Sequence, residues 1–142
     1  MSDKVFLDTN VLVYAYDKSE PRKQHKAQTL LAEGIERENA VISAQVLGEF
    51  FIVVTRRLTI PLSVDEAGHL IDLLSALPVV EVDLQLVKQA VSVHGAMQIS
   101  YWDALIVCAA ERAGCGRILS EDLNSGQDYR GAVVENPFAN LN

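Results

Sequence analysis

Apolar positions along this chain change their period repeatedly, and the changes outline its elements. Residues 4–7 (Lys-Val-Phe-Leu) are a short run of strand-forming residues, interrupted by Asp8-Thr9-Asn10 before a second apolar stretch at 11–16. The pattern predicts a strand over 4–7, a helix over 10–16, a break at 17–21, and a helix from Pro21 to about 38, since proline suits a first helical turn. A strand follows at 40–43 and a helix at 44–58, with a turn at Pro61. Ser63-Val-Asp-Glu66 reads as a capping box opening a helix to about 76, which Pro78 ends. A third strand is expected over 79–82, then a helix capped by Asp83 and running to 97. Ser100-Tyr-Trp-Asp103 resembles a second capping box, opening a helix to 112 that Gly114 and Gly116 close. Strands at 117–120 and 132–135, the latter at a sheet edge, complete the pattern. Strand-length runs alternating with helical ones argue for βαβ units. The expected fold is a three-layer α/β/α arrangement around a central parallel sheet of four to five strands, with a helical hairpin around residues 44–76. No repeat, linker or low-complexity tract divides the 142 residues, so one domain over 1–142 is expected.

Composition narrows the function classes. A hydrophobic fraction of 49% and a charged fraction of 22% are ordinary for a folded domain. No apolar run approaches the ~20 residues of a membrane span, and the start does not read as a signal peptide, so a cytoplasmic location is expected. The two cysteines, Cys108 in an apolar helix and Cys115 in a turn, form neither a disulfide framework nor a zinc pattern. His25, His69 and His94 are scattered and read as surface or satisfied histidines. The net charge of -7 counts against a generic nucleic-acid binder, which is more often basic. Basic residues do cluster locally, at Arg22-Lys23 with His25-Lys26 and at Arg56-Arg57.

Four acids stand where open α/β sheets place their ligands, around the carboxyl ends of strands. Asp8 ends the first strand; it reads as a metal ligand or as a helix N-cap. Glu49 lies on the flank of the stripe formed by Val46, Phe50, Val53 and Val54, beside Gly48, which leaves room for close approach. Burial of an unpaired charge is costly, so Glu49 needs either a cation or a nearby Arg or Lys. Asp103 sits in the first turn of an apolar helix, where the helix dipole alone favours an acid. Asp122 follows the fourth strand as Asp8 follows the first, with Glu121 a competing candidate and a polar turn the alternative reading. Each acid has a local explanation, but their common placement points to one crevice. Clustered carboxylates need cations, and oxygen-only ligands suit Mg²⁺ or Mn²⁺. No phosphate-binding Gly-rich loop and no nucleophile elbow competes. Tyr14 and Tyr16 read as packing residues.

The segments Val5-Phe-Leu-Asp-Thr-Asn-Val-Leu12, Ser43-Ala-Gln-Val-Leu-Gly-Glu-Phe50, Ser100-Tyr-Trp-Asp-Ala-Leu-Ile106 and Ile118-Leu-Ser-Glu-Asp-Leu123 resemble, in order and spacing, the motifs of PIN-domain ribonucleases. Within that family the chain looks most like the VapC-type toxins of toxin–antitoxin pairs, and Val133-Val-Glu-Asn-Pro-Phe138 resembles the ending of that subgroup. The resemblance implies an Mg²⁺- or Mn²⁺-dependent endoribonuclease with Asp8, Glu49, Asp103 and Asp122 as its acidic quartet. Thr9 and Ser120 match hydroxyl positions near the metal and its waters, and Asn10 a common polar position. It also implies an RNA substrate, a homodimer and a small antitoxin that blocks the site.

On this reading Asp8, Asp103 and Asp122 hold Mg²⁺ directly or through water, and Glu49 is a further ligand or orients the attacking water. Thr9 is the helix cap or a water-positioning hydroxyl. Arg22, Lys23, Arg56 and Arg57 are the candidate phosphate contacts. Two other classes use strand-end acids with Mg²⁺. A receiver-like signalling module needs paired acids after the first strand and a late Lys. A phosphatase of the haloacid dehalogenase type needs an acid two residues after the first Asp. Here the first strand offers one Asp, Asn10 stands two residues on, and no Lys follows Lys88.

Overall fold

Strand β1 (Val5–Leu7) is apolar and buried throughout, as expected of a strand covered on both faces of a parallel sheet. The computed structural model describes residues 3–141; of the span 1–142 expected as one domain, residues 1, 2 and 142 lie outside it. After β1 come α1 (Thr9–Tyr14), α2 (Pro21–Glu36), β2 (Ala40–Ser43), α3 (Ala44–Arg56) and α4 (Val64–Leu74). Then follow β3 (Val79–Val80), α5 (Leu84–Met97), α6 (Tyr101–Arg112), β4 (Arg117–Leu119), β5 (Asp128–Tyr129) and β6 (Ala132–Glu135). The strand order is β3-β2-β1-β4-β6-β5. Every neighbouring pair is parallel except β5 with β6.

The chain winds outward from β1 to β2 and β3, then returns through α5 and α6 to lay β4 on the other side of β1. Right-handed crossovers in opposite directions put α1 to α4 on one face of the sheet and α5 with α6 on the other. These are the three expected layers. The reversal falls between β1 and β4, and a switch point of this kind opens a crevice beyond the carboxyl ends of its two strands. Register then does the placing. Leu7 pairs with Leu119, so Asp8 and Ser120 leave the sheet side by side.

Several sequence expectations are corrected. The sheet holds six strands among the described residues, and 132–135 is not its edge, because β6 lies between β4 and β5. The edge strand β5 has two residues and returns through Arg130 and Gly131, both at positive φ (56° and 98°), the backbone of a tight two-residue hairpin. Strand β3 stops at Val80. Asp83 has the capping role expected of it. It caps α5, accepting from Leu86 N at 2.9 Å, and takes both arms of Arg112 from α6. In a receiver-type sheet the third strand lies beside the first, whereas β3 here sits outside β2.

Caps set the helix starts. Ser63 and Glu66 make both bonds of the predicted box, and α4 packs back on α3 with Leu62 N donating to Val54 O at 2.8 Å. Ser100 makes one half of its box, accepting from Asp103 N. Helix α2 reaches β2 through Gly34, where a methyl group would come within 2.5 Å of Ala40 Cβ. Cys108 and Cys115 are both buried and free. No helix among the described residues is long and apolar enough to cross a membrane.

Candidate metal centre

Asp8 is the residue around which the crevice is built. It is 6% exposed and caps α1, its Oδ1 accepting from Thr9 N at 2.7 Å. Thr9 is therefore not the cap expected of it. Oδ2 of Asp8 accepts from Ser120 Oγ at 2.7 Å. The Ser120 hydroxyl in turn accepts from Asp122 N (3.1 Å) and Leu123 N (3.2 Å). One proton and two lone pairs are thus all engaged, and Ser120, completely buried, ties the end of β1 to the loop after β4.

Thr9 spends its hydroxyl elsewhere, donating to Glu49 Oε2 at 2.8 Å. The other oxygen, Oε1, accepts from Gln45 Nε2 at 2.8 Å, one helical turn earlier on α3. The cationic partner weighed for Glu49 is replaced by two neutral donors. Gln45 Nε2 also donates to the Trp102 carbonyl at 3.1 Å, which fixes the start of α6 beside Asp103. Asn10 bridges the loop: Nδ2 donates to Asp122 Oδ2 (3.2 Å) and Oδ1 accepts from Glu121 N (3.2 Å). Hydrogen bonds thus link Asp8, Glu49 and Asp122 through Thr9 and Ser120, and Gln45 ties Glu49 to the turn of α6 that carries Asp103.

Glu121 does not compete with Asp122. Its carboxylate is held by Lys23 Nζ (2.9 Å) and Tyr14 OH (2.7 Å). That pairing keeps Lys23 firmly protonated and occupies it, so it is not a free phosphate contact. Among the four basic candidates, Arg57 lines the acidic crevice, a cavity of about 660 Å³ whose walls include Thr9, Asn10, Tyr14, Glu49 and Asp122. Arg22 lies with His25 and Lys26 around a separate depression. Tyr14 and Tyr16 pack edge-on against Phe138 and Phe50, as packing residues should.

The electrostatics reveal a shared field. Burial pushes the Asp8 carboxyl up to about 6, its bonds to Ser120 and Thr9 pull it back, and the charges of Asp122 and Glu49 raise it further. Asp103 is raised too, first by burial and then, against the bond from Ser100, by the same Asp122 and Glu49. Asp8 and Asp103, from different elements, thus feel the same two neighbours, and of the four acids Glu49 and Asp122 line the crevice itself. Among the described residues, no group of three or more His, Cys, Asp or Glu side chains is arranged to hold a metal ion. Glu49 takes its hydrogen bonds from Thr9 and Gln45, and Asp122 takes one from Asn10. The donor set is all oxygen, which fits a hard divalent cation.

Gln45 is a part of this network that the sequence reading did not name, and Lys23, Glu121 and Tyr14, read there as a phosphate contact, a competing acid and a packing residue, bond to one another. Gln45 was recoverable, because residues four apart share a helix face. The Lys23–Glu121 pair spans 98 positions and leaves no local trace.

Comparison with known proteins bears on the fold and family. No curated protein matches the sequence. Among solved structures, the toxin VapC20 of Mycobacterium tuberculosis, described as cleaving the sarcin-ricin loop, aligns at a TM-score of 0.64 and 22% identity, covering 84% of this chain and 90% of that one. A toxin–antitoxin complex from Klebsiella pneumoniae aligns at 0.68 and 15% identity, covering 94% and 98%. DNA-bound VapBC from Salmonella typhimurium aligns at 0.67 and 15%, covering 96% and 99%. At these identities the likeness is one of fold. The sequence profile of the PIN domain matches residues 5–126, a span that holds all four acids, and the chain belongs to the PIN domain family.

Proposed function

We propose that this protein is a metal-dependent endoribonuclease and the toxin of a toxin–antitoxin pair. The observation that carries the reading is the buried Asp8 at the switch point, its carboxyl raised by burial and by Asp122 and Glu49. A protein keeps such a group when something cationic offsets it. The PIN family match and the toxins that share the fold supply the activity class.

A divalent ion, Mg²⁺ or Mn²⁺, held by Asp8, Asp103 and Asp122, would acidify a water and stabilise charge on the phosphoryl oxygens. The chain's own residues do the rest. Ser120 Oγ and Thr9 N fix both oxygens of Asp8. Thr9 Oγ1 and Gln45 Nε2 fix Glu49, which orients the attacking water and accepts its proton at a carboxylate oxygen. Asn10 steadies Asp122. Arg57, on the crevice wall, meets a backbone phosphate.

The partners follow from the same reading: RNA as substrate, a small antitoxin that covers the crevice, a second copy in a homodimer, and the cytoplasm as place of action. Solved relatives of this fold were captured as toxin–antitoxin complexes, which supports the antitoxin. The test is cleavage of RNA with Mg²⁺ or Mn²⁺, with and without chelator. Chelator abolishes it, and Asp8→Asn lowers kcat/KM by more than about 100-fold, exceeding the loss from removing a ligand's supporting hydrogen bond. Equal cleavage by both proteins overturns the assignment.

A further inference from the structure

We infer that Trp102 is a stacking platform for an unpaired RNA base beside the scissile phosphate. The inference rests on the ribonuclease reading and adds a substrate subsite to it.

Helix α6 is buried without interruption from Ala104 to Ala110, yet Trp102 in its first turn is 62% exposed. A ring of that size left in water beside a reaction centre needs a reason. Its orientation is set by Tyr101, whose ring stands edge-on with centroids 5.1 Å apart. Its backbone is set by Gln45 Nε2, which holds the Trp102 carbonyl and Glu49 together. The Trp102 backbone is thereby tied to Glu49.

The ring borders a cavity of about 620 Å³, lined also by Gln45, Gly48, Glu49, Val82 and Leu105. Gly48 and Glu49 line the acidic crevice as well, so the two spaces share a wall. A Cβ on Gly48 would meet nothing within 4 Å, which leaves that wall low and open. Whatever enters the second cavity lies next to the carboxylates.

The lining selects the occupant. Val82, Leu105 and the indole offer apolar and aromatic surface. A nucleobase stacks its π-face on the indole, and continuity with the acidic crevice favours a base of the strand whose phosphate lies there over an unrelated apolar side chain. The strand's phosphate then falls toward Glu49 and Asp122, where the proposed chemistry takes place.

Trp102 is the chain's single tryptophan, so its fluorescence reports this site alone. The probe is a ten-nucleotide single-stranded RNA, titrated in Ca²⁺ to neutralise the carboxylates, beside a base-free ribose-phosphate oligomer of equal length. The RNA quenches the emission saturably and the base-free oligomer does not. With labelled RNA, Trp102→Ala weakens binding by at least about 5-fold, the lower end of what one stacked base contributes, and Trp102→Phe recovers most of it. In cleavage assays the loss falls on KM more than on kcat. Equal quenching by the base-free oligomer, or unchanged affinity in Trp102→Ala, overturns the inference. So does a Trp102→Ala protein that sediments as a monomer where wild type is a dimer, because the ring then belongs to a contact between copies. A chain that cleaves RNA through Asp8 without quenching loses only this subsite. A chain that neither binds nor cleaves RNA loses the ribonuclease reading with it.

Discussion

Asp8 is the one buried acid among the described residues, and its stability effects follow from that. The folded carboxyl, at about 6, lies above its ordinary value of 3.8. Between those values the folded chain binds more protons than the unfolded one, so stability falls as pH rises from about 4 to 6 and stays low above that. Two pH units at ~1.4 kcal/mol each set a ceiling near 3 kcal/mol. In chelator at pH 7, Asp8→Asn is therefore expected to raise Tm, by about 3–8 °C for a gain of about 1–2 kcal/mol. The gain shrinks toward pH 4, where the wild-type acid is protonated. Mg²⁺ raises Tm of the wild type and leaves Asp8→Asn unmoved. Identical melts at pH 7 would mean that Asp8 is not an uncompensated buried charge. At this scale much was legible: a strand-end acid, a hydroxyl beside it, and a second strand end repeating the motif. What stayed hidden was the direction of each hydrogen bond. Thr9 serves Glu49, and Ser120 serves Asp8, because β1 and β4 are adjacent and α1 packs against α3, which no local pattern records.

Elements bring these residues together, and α2 has a part the sequence did not reveal. Its Lys23 reaches across to Glu121, stacks over the Tyr14 ring at 4.8 Å, and so clamps the loop after β4 that carries Asp122. Asn10 grips the same loop from α1. Replacing the charge while keeping the stem, as in Lys23→Met, leaves Glu121 half-buried without its cation. The expected cost is about 1–3 kcal/mol in stability, with cleavage reduced through kcat while RNA affinity holds. A loss confined to affinity would return Lys23 to the role of a phosphate contact. Helix positions, caps and the α3–α4 hairpin were readable because periodicity and capping residues are local. The β5–β6 hairpin was missed because two residues, Asp128-Tyr129, make too short a run to show a period, and its signal is only the Gly131 turn.

For the whole molecule, charge and topology set the terms of binding. A net charge of -7 repels a polyanion, and Arg57 is the basic side chain lining the acidic crevice. RNA affinity should therefore depend weakly on monovalent salt. A log–log slope shallower than about -3 between 50 and 300 mM KCl is expected at fixed Mg²⁺, against slopes near -6 or beyond for proteins that neutralise many phosphates. A steep slope would require a basic surface elsewhere. The parallel α/β class was evident from alternating patterns, but the order of the strands was not. Sequence lists strands in the order they are made, and the switch between β1 and β4 arises only when the return crossover docks.

That docking has a consequence for the chain as it is synthesised. The four acids stand at positions 8, 49, 103 and 122, and Asp8 waits for the Ser120 hydroxyl that emerges more than a hundred residues later. A chain released early ends without Ser120 and Asp122. It leaves Asp8 unsupported and the quartet one member short. On the proposed ribonuclease reading, incomplete translation products lack the full acidic set, and the ribosome meets a complete centre only once nearly all of the chain has been made.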